Sequence, residues 1–109
     1  MSPVLKLHRK SSRIVAVKGP LRVPINREVR DNVRALLRQG ERGIVLDLSE
    51  VTRIDAAGVG ELVRVFNVTA AVNGRLRITN ANPWVRQVLE RTGLFDVLTG
   101  EVEDQQRLA

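Results

Sequence analysis

The chain has no cysteine and no tyrosine, and only one histidine, one tryptophan and two phenylalanines in 109 residues. Each shortage removes a class of function. Without cysteine there is no disulfide, no thiolate nucleophile and no cysteine-based zinc site, a composition that suits a reducing cytoplasm. The single histidine, His8, has no second imidazole or acidic cluster near it to complete a metal site. Beside Arg9 and Lys10 it reads as an exposed strand residue rather than a catalyst. Aromatics at 3% leave nothing to interleave with basic residues and stack on bases. A net charge of +6, from 18 Lys and Arg against 12 Asp and Glu, therefore does not read as a nucleic-acid surface. The basic residues are scattered as solvated faces, with one local cluster of Lys6, Arg9, Lys10 and Arg13. No apolar run approaches the roughly 20 residues that span a bilayer. The start, MSPVLKLHRK, is basic but lacks a signal-peptide core. The expectation is one cytoplasmic domain over 1–109, with its core at about 4–100 and an acidic tail at 101–109, no membrane insertion and no direct contact with nucleic acid.

What is present is a regular alternation of elements. VLKLHR alternates weakly and predicts a first strand. RIVAVKG alternates better, with Ile14 and Ala16 on one face and Val15 and Val17 on the other, and Gly19-Pro20 turns the chain. Ile25, Val29, Val33 and Leu36/Leu37 recur at three- and four-residue spacing, predicting a helix over 25–39 that leaves Arg27, Arg30, Arg34 and Arg38 exposed and closes at Gly40. GIVLDLS is nearly continuous in Ile44, Val45, Leu46 and Leu48, as befits the buried centre of a sheet. A second helix over 57–72 carries Val59, Leu62, Val63, Phe66 and Ala70 as its stripe and ends at Asn73-Gly74. RLRIT predicts a strand. The third helix, over 83–92, has Asn82 as N-cap, Pro83 at its first position and Gly93 past its end. Its buried stripe is Val85, Val88, Leu89 and Thr92, which leaves Trp84 half exposed. LFDVL predicts a last strand-like segment. The order β-β-α-β-α-β-α-β implies an α/β fold with a mixed, mainly parallel sheet flanked by helices, one strand pair being antiparallel.

The segment RIDAAGVGELV, residues 53–63, gathers small residues where a strand passes into a helix. Gly58 and Gly60 give a G-x-G, but Val63 breaks the dinucleotide fingerprint. There is no lysine for a phosphate loop and no serine of a nucleophile elbow. Asp55 suits an N-cap, and a helix N-terminus is also a place where anions and partners approach. Asp47, the other carboxylate in this region, reads as a structural hydrogen-bond acceptor at a strand end. No nucleophile-base pair is visible, so no catalytic residue is expected.

Three stretches carry a family resemblance. GIVLDLSEVTRIDAAGVGELV is similar to the apolar strand, tip aspartate and D-S-S/T-G-L/I-G-like loop that open a helix in the STAS domain, named for sulfate transporters and anti-sigma factor antagonists. GRLRITNANPWVRQVLERTGLF resembles the family's strand, Pro-x-Val and helix ending in Gly-Leu, and VKGPLRVP its strand-Gly-x-Leu segment. Together they span about 14–98.

The resemblance implies that the 53–62 loop binds a protein partner and that no cofactor is involved. The candidate contact residues are Arg53, Asp55, Ala56, Ala57, Gly58, Val59, Gly60 and Glu61. In bacterial anti-sigma factor antagonists the residue before the first glycine is a serine or threonine phosphorylated by a partner kinase. Ala57 stands there, behind Ala56, and neither accepts phosphate. The implied function is non-enzymatic: an anti-sigma factor antagonist binding an anti-sigma factor or serine-kinase-like protein without the usual switch. The alternative is a STAS subunit of another assembly, such as a lipid-transport ATPase complex. A homodimer is compatible with either.

Overall fold

The computed structural model describes residues 12–95 and residue 98. In chain order they form β1 (Arg13–Lys18), α1 (Glu28–Arg38), β2 (Gly43–Glu50), α2 (Ala56–Ala70), β3 (Arg75–Thr79) and α3 (Pro83–Arg91). The three strands pair in sequence order and all run parallel. The strand expected from VLKLHR, and with it the antiparallel pair, lies outside the described residues, as does His8. Among the described residues no helix is long and apolar enough to cross a membrane.

Period-two alternation sets which face of the sheet is buried. Val15 and Val17 of β1, Ile44, Leu46 and Leu48 of β2, and Leu76 and Ile78 of β3 point into one core. They meet Val33 and Leu37 of α1, Leu62 and Val65 of α2, and Val85 and Leu89 of α3. Truncating a fully enclosed leucine such as Leu46 to alanine typically costs about 2–5 kcal/mol. The opposite face is more open. Ile14 is 71% exposed, Ala16, Arg75 and Arg77 are exposed, and Val45 and Asp47 are half-buried. The continuous apolar run of β2 is thus buried completely only at alternate positions. Asp47 accepts the Ser49 N–H at 2.9 Å and the Asn80 side-chain amide at 3.2 Å, a structural strand-end acceptor.

The helices start where local chemistry allows. α1 begins at Glu28 rather than at 25, because the Asn26 carboxamide oxygen accepts the Glu28 N–H at 2.8 Å, one turn after Pro24. Beyond Gln39, Gly40 takes φ +95°, and Glu41 N–H closes on the Leu36 carbonyl at 3.1 Å. α3 begins as its sequence demands: Asn82 accepts the Val85 N–H at 2.8 Å, and Pro83 occupies the first turn.

Other expectations need correction. The described residues of LFDVL do not form a strand: Phe95 and Leu98 are helical, and Leu98 N–H donates to Leu94 O at 2.9 Å. Both side chains are buried. Residues three apart share a helical face but alternate across a strand, so joint burial selects the helical turn. The α2 stripe is also displaced. The buried positions are Gly58, Glu61, Leu62, Val65 and Thr69, whereas Val59, Val63 and Phe66 are half-buried and Ala70 is exposed. Three residues that a hydropathy pattern does not select therefore face inward. Thr69 is accommodated because its hydroxyl donates to the Val65 carbonyl at 2.9 Å.

Candidate functional site

The site is assembled from two segments far apart in sequence. Beyond β2 the chain makes one isolated parallel bridge between Leu21 and Ile54. Leu21 N–H donates to Arg53 O at 2.8 Å, and Asp55 N–H donates to Leu21 O at 3.1 Å. The Asp55 carboxylate then works in two directions. Oδ1 accepts the Gly58 N–H at 2.9 Å, the predicted N-cap, and Oδ2 accepts the Val23 N–H at 3.1 Å. Asp55 thus starts α2 and ties residues 21–23 to that start. The Gly58 N–H first, and the Val23 N–H second, hold its carboxyl below the usual carboxylate range.

The small residues have different duties. Gly58 is buried, and a Cβ there would collide with the Leu21 carbonyl oxygen and stand 2.8 Å from Ile54 Cγ1. What approaches this glycine is the chain's own backbone. Gly60 is open by comparison: a Cβ would meet only Arg64 Nη1, at 3.6 Å. Ala56 is exposed, and Ala57 and Val59 are half-buried. Arg53 is exposed, and its carbonyl holds Leu21. Val23, on the neighbouring segment, is an apolar side chain left 68% exposed.

Glu61 lies inside. It is only 1% exposed and is gripped by Arg30 of α1, whose Nε reaches Oε2 at 3.0 Å and Nη2 reaches Oε1 at 2.7 Å. This two-pronged pair joins α1 to α2 and supplies the geometry a buried carboxylate requires. The same hydrogen bonds push the Arg30 guanidinium further above its usual value. Arg30 was expected at the surface, yet its side chain is 15% exposed. Arg64, one turn after Glu61, approaches Oε1 at 3.8 Å and is 60% exposed.

These residues border a shallow groove of about 540 Å³ lined by Ile25, Arg27, Arg30, Ala56, Ala57, Gly60, Glu61 and Arg64. Of the eight candidate residues, Ala56, Ala57, Gly60 and Glu61 meet at this groove, Asp55 and Gly58 build its edge from behind, and Arg53 and Val59 do not line it. The residues that sequence reasoning missed are Val23, Ile25, Arg27, Arg30 and Arg64. A signal existed for one of them: Arg30 stands three and seven residues before Val33 and Leu37, on their buried face. Asp55 is committed to backbone amides and Glu61 to Arg30. The groove therefore offers guanidinium donors above a small apolar floor.

Comparison with known proteins agrees with this architecture. A Bordetella bronchiseptica protein designated a candidate anti-sigma factor antagonist, BtrV, is 27% identical over 84 residues, 77% of this chain and 72% of the relative. Among solved structures, a sulfate transporter family protein from Wolinella succinogenes superposes with a TM-score of 0.63 at 22% identity, covering 83% of this chain and 73% of that one. The phosphorylated form of SpoIIAA, described as a Bacillus cell fate determinant, gives 0.61 at 22% identity over 90% of this chain and 91% of that one. Unphosphorylated SpoIIAA, an anti-sigma factor antagonist, gives 0.56 at 22% identity, covering 72% and 73%. At such identities the structural likeness establishes the α/β fold. The STAS domain family model matches residues 4–107, and with the strand, aspartate-led loop and helix in the expected order the chain belongs to the STAS domain family.

Proposed function

We propose that the chain is a non-enzymatic interaction module, an anti-sigma factor antagonist that binds an anti-sigma factor or serine-kinase-like protein through residues 53–62. The carrying observation is the construction of the α2 start. Asp55 and Gly58 are used internally to fix the loop, and the result is a small-residue surface at Ala56, Ala57 and Gly60 facing outward. Rigid small residues let a partner's backbone come close at little entropic cost. Gly58 and Glu61 are buried and shape this surface from beneath. The BtrV relative supports the antagonist assignment, since its designation is of that kind. Ala57 leaves the loop without a phosphate acceptor, so binding here is constitutive and is governed by the supply of either protein. Ala57 equally suits a STAS subunit of a lipid-transport ATPase complex, a reading that copurification with a permease would favour.

The test is calorimetric titration of the anti-sigma factor or serine-kinase-like protein that a pull-down with the chain returns, with wild type and Ala57→Glu, alongside thermal melts. Weaker binding with an unchanged melt is expected, because a carboxylate would be desolvated at the contact. Equal affinity and equal melting would reduce the segment to a helix start.

A further inference from the structure

The groove between the start of α1 and the first turns of α2 holds more positive charge than the fold consumes. Arg30 is spent on Glu61. Arg64 has only a 3.8 Å approach to the same carboxylate, which Arg30 already neutralises, and it is 60% exposed. Arg27 lines the groove with no ion-pair partner among the described residues. Two guanidiniums thus border a floor of Ala56, Ala57 and Gly60. Exposed Glu28 and Asp31 on α1 moderate this field without entering the groove lining.

We infer that the groove seats an acidic segment of the partner, a short stretch bearing two carboxylates that meet Arg27 and Arg64 while a small side chain lies on Ala56 and Ala57. The inference rests on the proposed partner role of this loop and names the chemistry that role would recognise. The planar guanidinium is suited to carboxylate, and such pairs are stronger than neutral hydrogen bonds. The N-terminus of α2 itself does not supply the anion site, because Asp55 already takes the Gly58 amide there and would repel a second anion.

The probe is a fluorescein-labelled peptide, Gly-Glu-Ala-Ala-Glu-Gly, with the Gln-for-Glu peptide as control, followed by polarisation on the full chain. Saturable binding is expected for the Glu peptide alone, weakening as salt rises from about 20 to about 200 mM. Arg27→Gln with Arg64→Gln should weaken it about tenfold or more. Backbone amide shifts should centre on residues 27, 57, 60 and 64. Shifts centred instead on Arg77 or on Lys6, Arg9 and Lys10 would overturn the assignment, as would undiminished binding by the double variant. A phosphoserine peptide bound more than about tenfold tighter would replace carboxylate with phosphate as the ligand chemistry. If Glu101→Gln, Glu103→Gln and Asp104→Asn together raised peptide affinity by a similar factor, the occupant would be the chain's own tail. Titration of the partner returned by the pull-down separates the two proposals. Loss with Ala57→Glu but not with the arginine variants would keep the partner surface and discard the acidic seat. Indifference to all of them would discard both.

Discussion

Gly58 and Gly60 stand two residues apart in one helix and live in opposite environments. The first presses against the Leu21 carbonyl, and the second opens onto a groove with only Arg64 near it. Glu61 and Arg64 repeat the contrast one turn on: a carboxylate sealed inside and a guanidinium 60% exposed. The inward side of α2 is fixed by contacts within the chain, whereas the outward side is fixed by almost nothing. A surface kept small and uncommitted over a rigid base is available for recognition, and that separation of duties is what each substitution below probes.

The largest effect should come from the inward side. Arg30→Ala would strand the Glu61 carboxylate without its partner, and removal of one member of a buried pair is strongly destabilising. A fall in melting temperature on the order of 15 °C is expected in calorimetry. A drop of only a few degrees would mean that Glu61 reaches water and that the two sides differ less than the geometry indicates. Gly58→Ala comes next, at roughly 1–3 kcal/mol in urea unfolding, because its Cβ meets a backbone carbonyl that cannot rotate away. The same change at Gly60 should reverse the sign: Gly60→Ala should stabilise by about 0.5–1 kcal/mol, since the space is free and glycine is costly inside a helix. Equal responses at 58 and 60 would erase the comparison.

The smallest effect is a pH dependence. Asp55 and Asp47 both have carboxyl groups held below their ordinary value, Asp55 by the Gly58 and Val23 amides and Asp47 first by the Ser49 amide, then by Asn80. The unfolded chain therefore binds protons more readily, and stability rises with pH. This contribution is complete above the ordinary carboxylate value of about 4 and disappears as the pH falls through the lower, folded values. Urea midpoints measured across that range should climb with pH, and Asp55→Asn or Asp47→Asn should each flatten the climb.

Much of this was legible in the residues. The period-two pattern of β1, the caps at Asp55 and Asn82 and the break at Gly40 are local chemistry, and local chemistry is written in consecutive letters. The displaced stripe of α2 was not. Hydropathy selects Val59, Val63 and Phe66, while the structure turns Gly58, Glu61 and Thr69 inward, each on terms set by a distant or backbone partner: Leu21, Arg30 and the Val65 carbonyl. Arg30 is the clearest case. An arginine off the apolar stripe reads as solvent-facing until a carboxylate 31 residues away is known to need it. The helical turn at Phe95 and Leu98 failed for a related reason, because five residues satisfy either period and only the shared core decides. At the loop, the fold divides the reasons for the small residues between the chain's own backbone at Gly58 and open surface at Ala56, Ala57 and Gly60.

The clamp formed by Asp55 has a practical meaning for anyone who wishes to copy this surface. One side chain fastens residues 21–23 to the helix start, so the shape is distributed over two stretches more than thirty positions apart. A synthetic peptide of residues 53–62 would carry the letters without the form. Antibodies raised against such a peptide should recognise the denatured chain better than the native one. A graft into another scaffold would have to transplant both stretches together, with Leu21 bridged to Ile54, before the surface existed at all.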